Sequence, residues 1–137
     1  MATNFREKRV NTGLSRWELN RDFRISEEDW QKTVIDLLHL HGFKVSEVRR
    51  ARTMRGGLEV YRTPWGSDGM GFPDLIAINR EKKILIVIEN KSMKGQTSPE
   101  QEEWLLYWSS VCDNVFVLRP DDFDVFKEKL EGMIRGL

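Results

Sequence analysis

Residues 84 to 88 read Ile-Leu-Ile-Val-Ile, five consecutive apolar side chains, four of them β-branched. Successive strand residues point to opposite faces, so this run is apolar on both and suits a central strand covered from above and below. A sheet with helices on each side follows. The segment Asp74 to Arg80 is a second strand, joined to Ile84–Lys91 by the charged turn Glu81-Lys82-Lys83, which is short enough for a hairpin. Around this pair the chain alternates. Ser26 is an N-cap, and Trp30, Val34, Leu37, Leu38 and His41 recur at helical spacing until Gly42. Phe43 to Arg50 reads as a strand, and Ala51 to Gly71, holding Gly56, Gly57, Gly66 and Gly69 with Pro64, as a long loop. Ser98-Pro99-Glu100-Gln101 opens a helix with N-cap, first-turn proline and capping-box glutamine in place. Its expected buried stripe is Trp104, Leu105, Trp108 and Val111. Asn114 to Leu118 is a short strand stopped by Pro120, and Asp121 to Ile134 a final helix with Phe123, Phe126 and Leu130 on one side. The expected fold is α/β: order α, β, β, β, α, β with a C-terminal helix and a mixed central sheet flanked by helices.

A chain of 137 residues can bury one sizeable core. The expected domain is residues 26–137, and residues 1–25, basic and polar without apolar periodicity, read as a flexible arm. One cysteine, Cys112, allows no internal disulfide and is expected in the core. Neither a signal-peptide stretch nor a membrane span is seen, which points to a reducing, soluble compartment. The net charge of zero hides an uneven distribution: residues 1 to 62 hold 13 Lys+Arg against 9 Asp+Glu, and residues 63 to 137 hold 9 against 13. The first half suits a polyanion better.

At the end of the apolar strand, Glu89 and Lys91 point to one face, with Cβ atoms roughly 6 to 7 Å apart. Asp74, at the start of the hairpin partner, reaches the same end of the sheet. An ion pair would account for Glu89 and Lys91 alone, and a turn for Asp74 alone. Two carboxylates converging with a lysine where apolar strands end is instead what a hard divalent cation and a phosphate require. His39 and His41, two apart on a helix, cannot share a metal.

Gly71-Phe72-Pro73-Asp74-Leu75 followed by Ile88-Glu89-Asn90-Lys91-Ser92 resembles the signature of the PD-(D/E)XK nuclease superfamily, and within it the VRR-NUC branch of phage and bacterial replication-repair nucleases. The resemblance extends to Ser26-Glu27-Glu28-Asp29-Trp30-Gln31, to Gly95-Gln96-Thr97-Ser98-Pro99-Glu100-Gln101, and to Val115–Pro120, covering residues 26 to about 130. It implies a restriction-endonuclease-like core. Asp74 and Glu89 then resemble the metal-binding carboxylates, Lys91 the catalytic lysine and Glu27 the first-helix acid, with Asn90 able to add its carbonyl as a ligand. Mg²⁺ or Mn²⁺ is the implied cofactor, its octahedron completed by water and a phosphate oxygen. Lys91 would act on the attacking water or on charge developing at the phosphate. Glu28 and Asp29 are adjacent acids favoured at a helix start in any case; Glu27 is preferred because it shares a stripe with Gln31, Val34 and Leu38. Gln101 caps its helix and, by resemblance, stands near the active site. Asn90 departs from the pattern, which commonly has an apolar residue there.

Arg49, Arg50, Arg52, Arg55 and Arg62, interleaved with Tyr61 and Trp65, would give the loop phosphate contacts and rings that stack on unpaired bases. Phosphate contacts alone confer structure preference, not sequence specificity. The expected function is a metal-dependent DNA endonuclease, structure-selective on branched or flapped replication and repair intermediates. The alternative is a DNA-binding module that keeps the fold and cuts poorly within a larger assembly, and no residue separates DNA from RNA as substrate. The expected partners are DNA, branched, flapped or double-stranded, and in a homodimer a second copy of the chain, with no membrane. The expected location is the cytoplasm of a bacterial or phage-infected cell.

Overall fold

The computed structural model describes residues 25–48, 51–55, 58–62 and 66–136, of which residues 51–55 and 58–62 are described by backbone alone. Helix α1 spans Glu27–Leu40 and starts where Ser26 accepts the Asp29 amide at 3.0 Å. The Ser26 side chain thus satisfies one of the donors that a helix start leaves without an intrahelical acceptor. The strands are β1 (Lys44–Glu47), β2 (Ala51–Arg55), β3 (Leu58–Arg62), β4 (Leu75–Asn79), β5 (Ile84–Asn90) and β6 (Val115–Leu118). Helix α2 (Pro99–Ser109) links β5 to β6; a 3₁₀ turn at Pro120–Asp122 leads into α3 (Phe123–Arg135).

Four strands form one mixed sheet in the order β1-β4-β5-β6, with β1/β4 and β4/β5 antiparallel and β5/β6 parallel. The hairpin register pairs Leu75 with Ile88 and Asn79 with Ile84. Asn79 stabilises the turn by accepting the Lys82 amide at 2.9 Å, and its Nδ2 donates to the His41 carbonyl at 3.2 Å, tying the hairpin to the end of α1. The two-faced run of β5 is divided as its alternation requires. Ile86 and Ile88 join Leu75, Ala77, Phe116 and Leu118 beneath α1 and α3, where Trp30, Leu38, Phe126 and Leu130 are buried. Val87 faces the other way and packs with Val115, Val117 and Leu105 of α2. Each such side chain, fully removed from water, contributes roughly 1.5–3 kcal/mol. The Trp30 indole N–H, buried with the ring, donates to the Leu118 carbonyl at 3.0 Å, so α1 is fastened to β6 by a directed bond as well as by packing.

Three expectations need correction. Residues 51–71 are not one loop: β2 and β3 pair antiparallel from Ala51↔Arg62 to Arg55↔Leu58, a two-stranded sheet inserted between β1 and β4 of the expected order. The arginine-rich β2 has no apolar alternation, so its strand character comes from backbone pairing with β3 and leaves little trace in hydrophobic pattern. Of the expected buried stripe of α2 only Leu105 is buried, Trp104 and Trp108 being half-buried, and Val111 lies beyond the helix end at Ser109, 79% exposed. Cys112 is only half-buried, packed at the edge of the α2-side core.

Candidate active site

The site stands where β4 and β5 part company. The β4–β5 ladder ends at Leu75↔Ile88, so the next inward amide, that of Asn90, has no main-chain acceptor on β4. The Asp74 side chain takes that place, its Oδ2 accepting the Asn90 N–H at 2.8 Å, while the Asp74 carbonyl accepts the Val48 amide at 2.9 Å from the other side. Asp74 is therefore held by both neighbouring strands. The N–H and C=O of one strand residue project to the same side, so the Asn90 carbonyl is also directed toward Asp74, while the Lys91 amide points away, bonding the Leu118 carbonyl at 2.9 Å.

Glu89 lies on the α2 face with Val87 and is 1% exposed. Its Oε2 receives the Gln101 Nε2 at 3.2 Å and lies 3.8 Å from the Lys91 ammonium, itself 7% exposed. Its Oε1 is buried and has no donor. Burial first, then the Asp74 charge and a carboxyl–carboxyl hydrogen bond with Asp74, push the Glu89 pKa from 4.5 up to about 10, with Lys91 opposing and Glu27 adding a smaller push upward. A hydrogen bond between two carboxyls exists only while one carries a proton. Two acceptors facing each other call for a shared proton or a bound cation, and the donorless Oε1 fits the latter.

Gln101 caps its helix and also reaches Glu89. Its Oε1 accepts the Ser98 amide at 2.8 Å and Ser98 Oγ accepts the Gln101 amide at 3.2 Å, completing the capping box, while the other end of the same amide donates to Glu89. These two bonds also fix which end of the amide is nitrogen. The first turn of α2 thereby aims a donor at the carboxylate.

Asp74, Glu89, Lys91 and Gln101 are thus brought together. Glu27, on the first turn of α1, is felt at Glu89 through its charge. Among the described residues no three His, Cys, Asp or Glu side chains are gathered closely enough to surround a metal on their own. The Asn90 side chain points to the α1 side, buried and with neither polar atom bonded, in place of the apolar residue expected there. Arg52, Arg55, Tyr61 and Arg62 fall on β2 and β3, and Arg49, Arg50 and Trp65 between the described segments; the side chains of all seven lie outside the described residues.

Sequence reasoning missed what sets the path into Asp74. Gly71 has φ +86° and lies so close to α2 that a Cβ would stand 2.5 Å from the Glu100 carbonyl carbon and 2.7 Å from the Gln101 nitrogen. No other residue is accommodated at that φ and that spacing. The glycine was visible in the Gly-Phe-Pro-Asp motif, but the helix it abuts is thirty residues further along the chain.

Two adjacent strands that deliver carboxylates to their parting ends, a lysine two residues on, and helices on both faces of a mixed sheet are the features of the restriction-endonuclease-like class. Residues 58–118 match the family model described as VRR-NUC domain, a stretch from β3 to β6 that holds Asp74, Glu89, Lys91 and Gln101. That match implies a nuclease-type function with DNA as substrate. The comparisons with curated proteins and with solved structures find no match.

Proposed function

We propose that this chain is a Mg²⁺- or Mn²⁺-dependent endodeoxyribonuclease acting on branched or flapped replication and repair intermediates in the cytoplasm of a bacterial or phage-infected cell. The observation that carries the metal-dependent reading is Glu89 Oε1, a buried oxygen with no donor on a carboxyl whose neighbour is Asp74. Asp74, Glu89 and the Asn90 carbonyl would hold the ion, with Glu27 near enough to add charge. When bound, the ion supplies positive charge that polarises a phosphate oxygen and acidifies a water. Gln101 keeps Glu89 turned toward the site through its hydrogen bond to Oε2. Lys91 brings a compact ammonium to the same carboxylate, placed to orient the attacking water or to neutralise charge on the phosphate as the water oxygen bonds to phosphorus and the opposite P–O bond breaks. No covalent link to the protein is needed.

The test is cleavage of labelled linear, flapped, four-way and single-stranded DNAs, and one RNA, with Mg²⁺, Mn²⁺ or chelator. Asp74→Asn and Glu89→Gln, near-isosteric and uncharged, are expected to lower the rate roughly 100-fold or more while the protein stays folded. Lys91→Ala is expected to slow single-turnover cleavage far more than it weakens DNA binding. Undiminished cleavage by the Asp74→Asn, Glu89→Gln double variant in chelator would reject the assignment. DNA binding without cleavage by the parent chain under every metal condition would identify a binding module instead.

A further inference from the structure

Trp104 lies on α2 one turn beyond Gln101, and its contacts reach out of the helix to the segment that leads into Asp74. Its Nε1 donates to the Asp68 carbonyl at 3.0 Å. Its ring meets Phe72 edge-on, with centroids 5.0 Å apart at 77°, and Phe72 also lies edge-on to Trp108 at 6.2 Å. Between these two attachments Gly71 lies so close to the Glu100–Gln101 backbone that a Cβ has no room. The first two turns of α2 therefore hold Glu89 directly, through Gln101, and hold the approach to Asp74 through Trp104 and its ring contacts. The indole bond to Asp68 is near solvent, where a hydrogen bond exchanged with water adds little to overall stability. What it does supply is direction, since it fixes one end of a segment whose other end is the carboxylate.

We propose, on the reading of this chain as a metal-dependent nuclease, that Trp104 is a positioning residue for the Asp74–Glu89 pair: by pinning Asp68–Phe72 to α2 it sets how the two carboxylates face each other and so their affinity for a divalent cation. Groups that orient metal ligands without touching the metal commonly account for a large part of a site's affinity. Trp104 does this for Asp74 through the chain, as Gln101 does for Glu89 through a side-chain bond.

The test compares the full chain with Trp104→Phe, which keeps a ring against Phe72 and removes the N–H donor, and with Trp104→Leu, which removes both. Mn²⁺ binding is measured by calorimetry without DNA, well below each melting temperature, and DNA affinity is measured in chelator. Trp104→Leu is expected to raise the Mn²⁺ Kd by roughly 10- to 100-fold and Trp104→Phe by less. DNA affinity in chelator is unchanged, and the cleavage rate recovers largely at saturating Mn²⁺. Folded variants that bind Mn²⁺ as the parent does, whatever their melting temperatures, would reduce Trp104 to a packing residue and overturn the proposal. Should Trp104→Leu fail to fold, the Trp104→Phe titration decides by the same criterion. A parent chain that binds no Mn²⁺ fails the nuclease reading itself and takes this proposal with it, an outcome distinct from equal affinities in parent and variants.

Discussion

Glu89 is the residue at which stability and function oppose each other. Its carboxyl is buried beside Asp74, and its pKa is raised from 4.5 to about 10 by burial first and by the Asp74 charge second. Between those two values the folded chain retains a proton that the unfolded chain has released. This contribution to stability is fully present below pH 4.5 and is lost progressively as pH rises toward 10. Glu89→Gln, neutral at every pH, is expected to flatten that dependence and to melt several degrees above the metal-free parent at pH 8, while losing cleavage. Thermal melts from pH 5 to pH 9 in chelator check it, and a variant that melts below the parent at pH 8 would show that Glu89 is comfortably ionised there. A proton and a cation compete for the same oxygens, so Mn²⁺ affinity of the parent rises with pH over the same range.

At the scale of elements, α2 organises the site as much as β5 does. Its capping-box glutamine ends on Glu89, its second turn carries the Trp104 contacts, and its first turn receives Gly71. Gly71→Ala combines a positive φ with a Cβ forced to 2.5 Å from helix backbone, so either the Phe72–Asp74 segment or α2 must shift. The expected result is a loss of more than about 2 kcal/mol of stability together with weakened metal binding. Denaturant unfolding and Mn²⁺ calorimetry read the two effects. Gly66→Ala serves as the control, since nothing lies within 4 Å of a Cβ there and its φ is not positive. Equal behaviour of the two variants would mean that the loop is not fastened to α2 as described.

At the scale of the whole molecule, the positive surplus of residues 1 to 62 and the carboxylates Asp74 and Glu89 occupy different parts of the chain. Binding and chemistry should therefore separate under mutation. Replacing Arg50, Arg52 and Arg55 together by alanine is expected to weaken DNA binding and to reduce the slope of log affinity against log salt by up to about one unit per arginine. The saturated single-turnover rate stays near that of the parent. Equilibrium binding at several salt concentrations, paired with single-turnover cleavage of the same branched DNA, measures both. An unchanged slope removes these arginines from the DNA-binding surface, and a fall in the saturated rate makes one of them part of the chemistry. No helix among the described residues is long and apolar enough to cross a membrane.

The layered core, the β4–β5 hairpin, both capped helices and the placement of Glu89 with Lys91 were legible in the sequence. Each depends on local periodicity or on a turn of a few residues, and β5 carries its own evidence for two covering layers in the Ile84–Ile88 run. The nearness of Asp74 to Glu89 was foreseen from the hairpin, but not that Asp74 replaces a missing main-chain acceptor for Asn90, since that depends on the residue at which β4 stops pairing. The β2–β3 hairpin was missed because the arginine-rich β2 carries no apolar alternation, although the two glycines Gly56-Gly57 between the paired strands are a hairpin signal in the sequence. The double duty of Gln101, the fit of Gly71 against α2 and the reach of Trp104 to Asp68 join residues 12 to 36 positions apart. Sequence periodicity determined which faces are buried, because burial is a property of each element's own pattern. Tertiary structure alone decided how the carboxylates are held, because the groups that hold them meet only after α2 has crossed over the sheet.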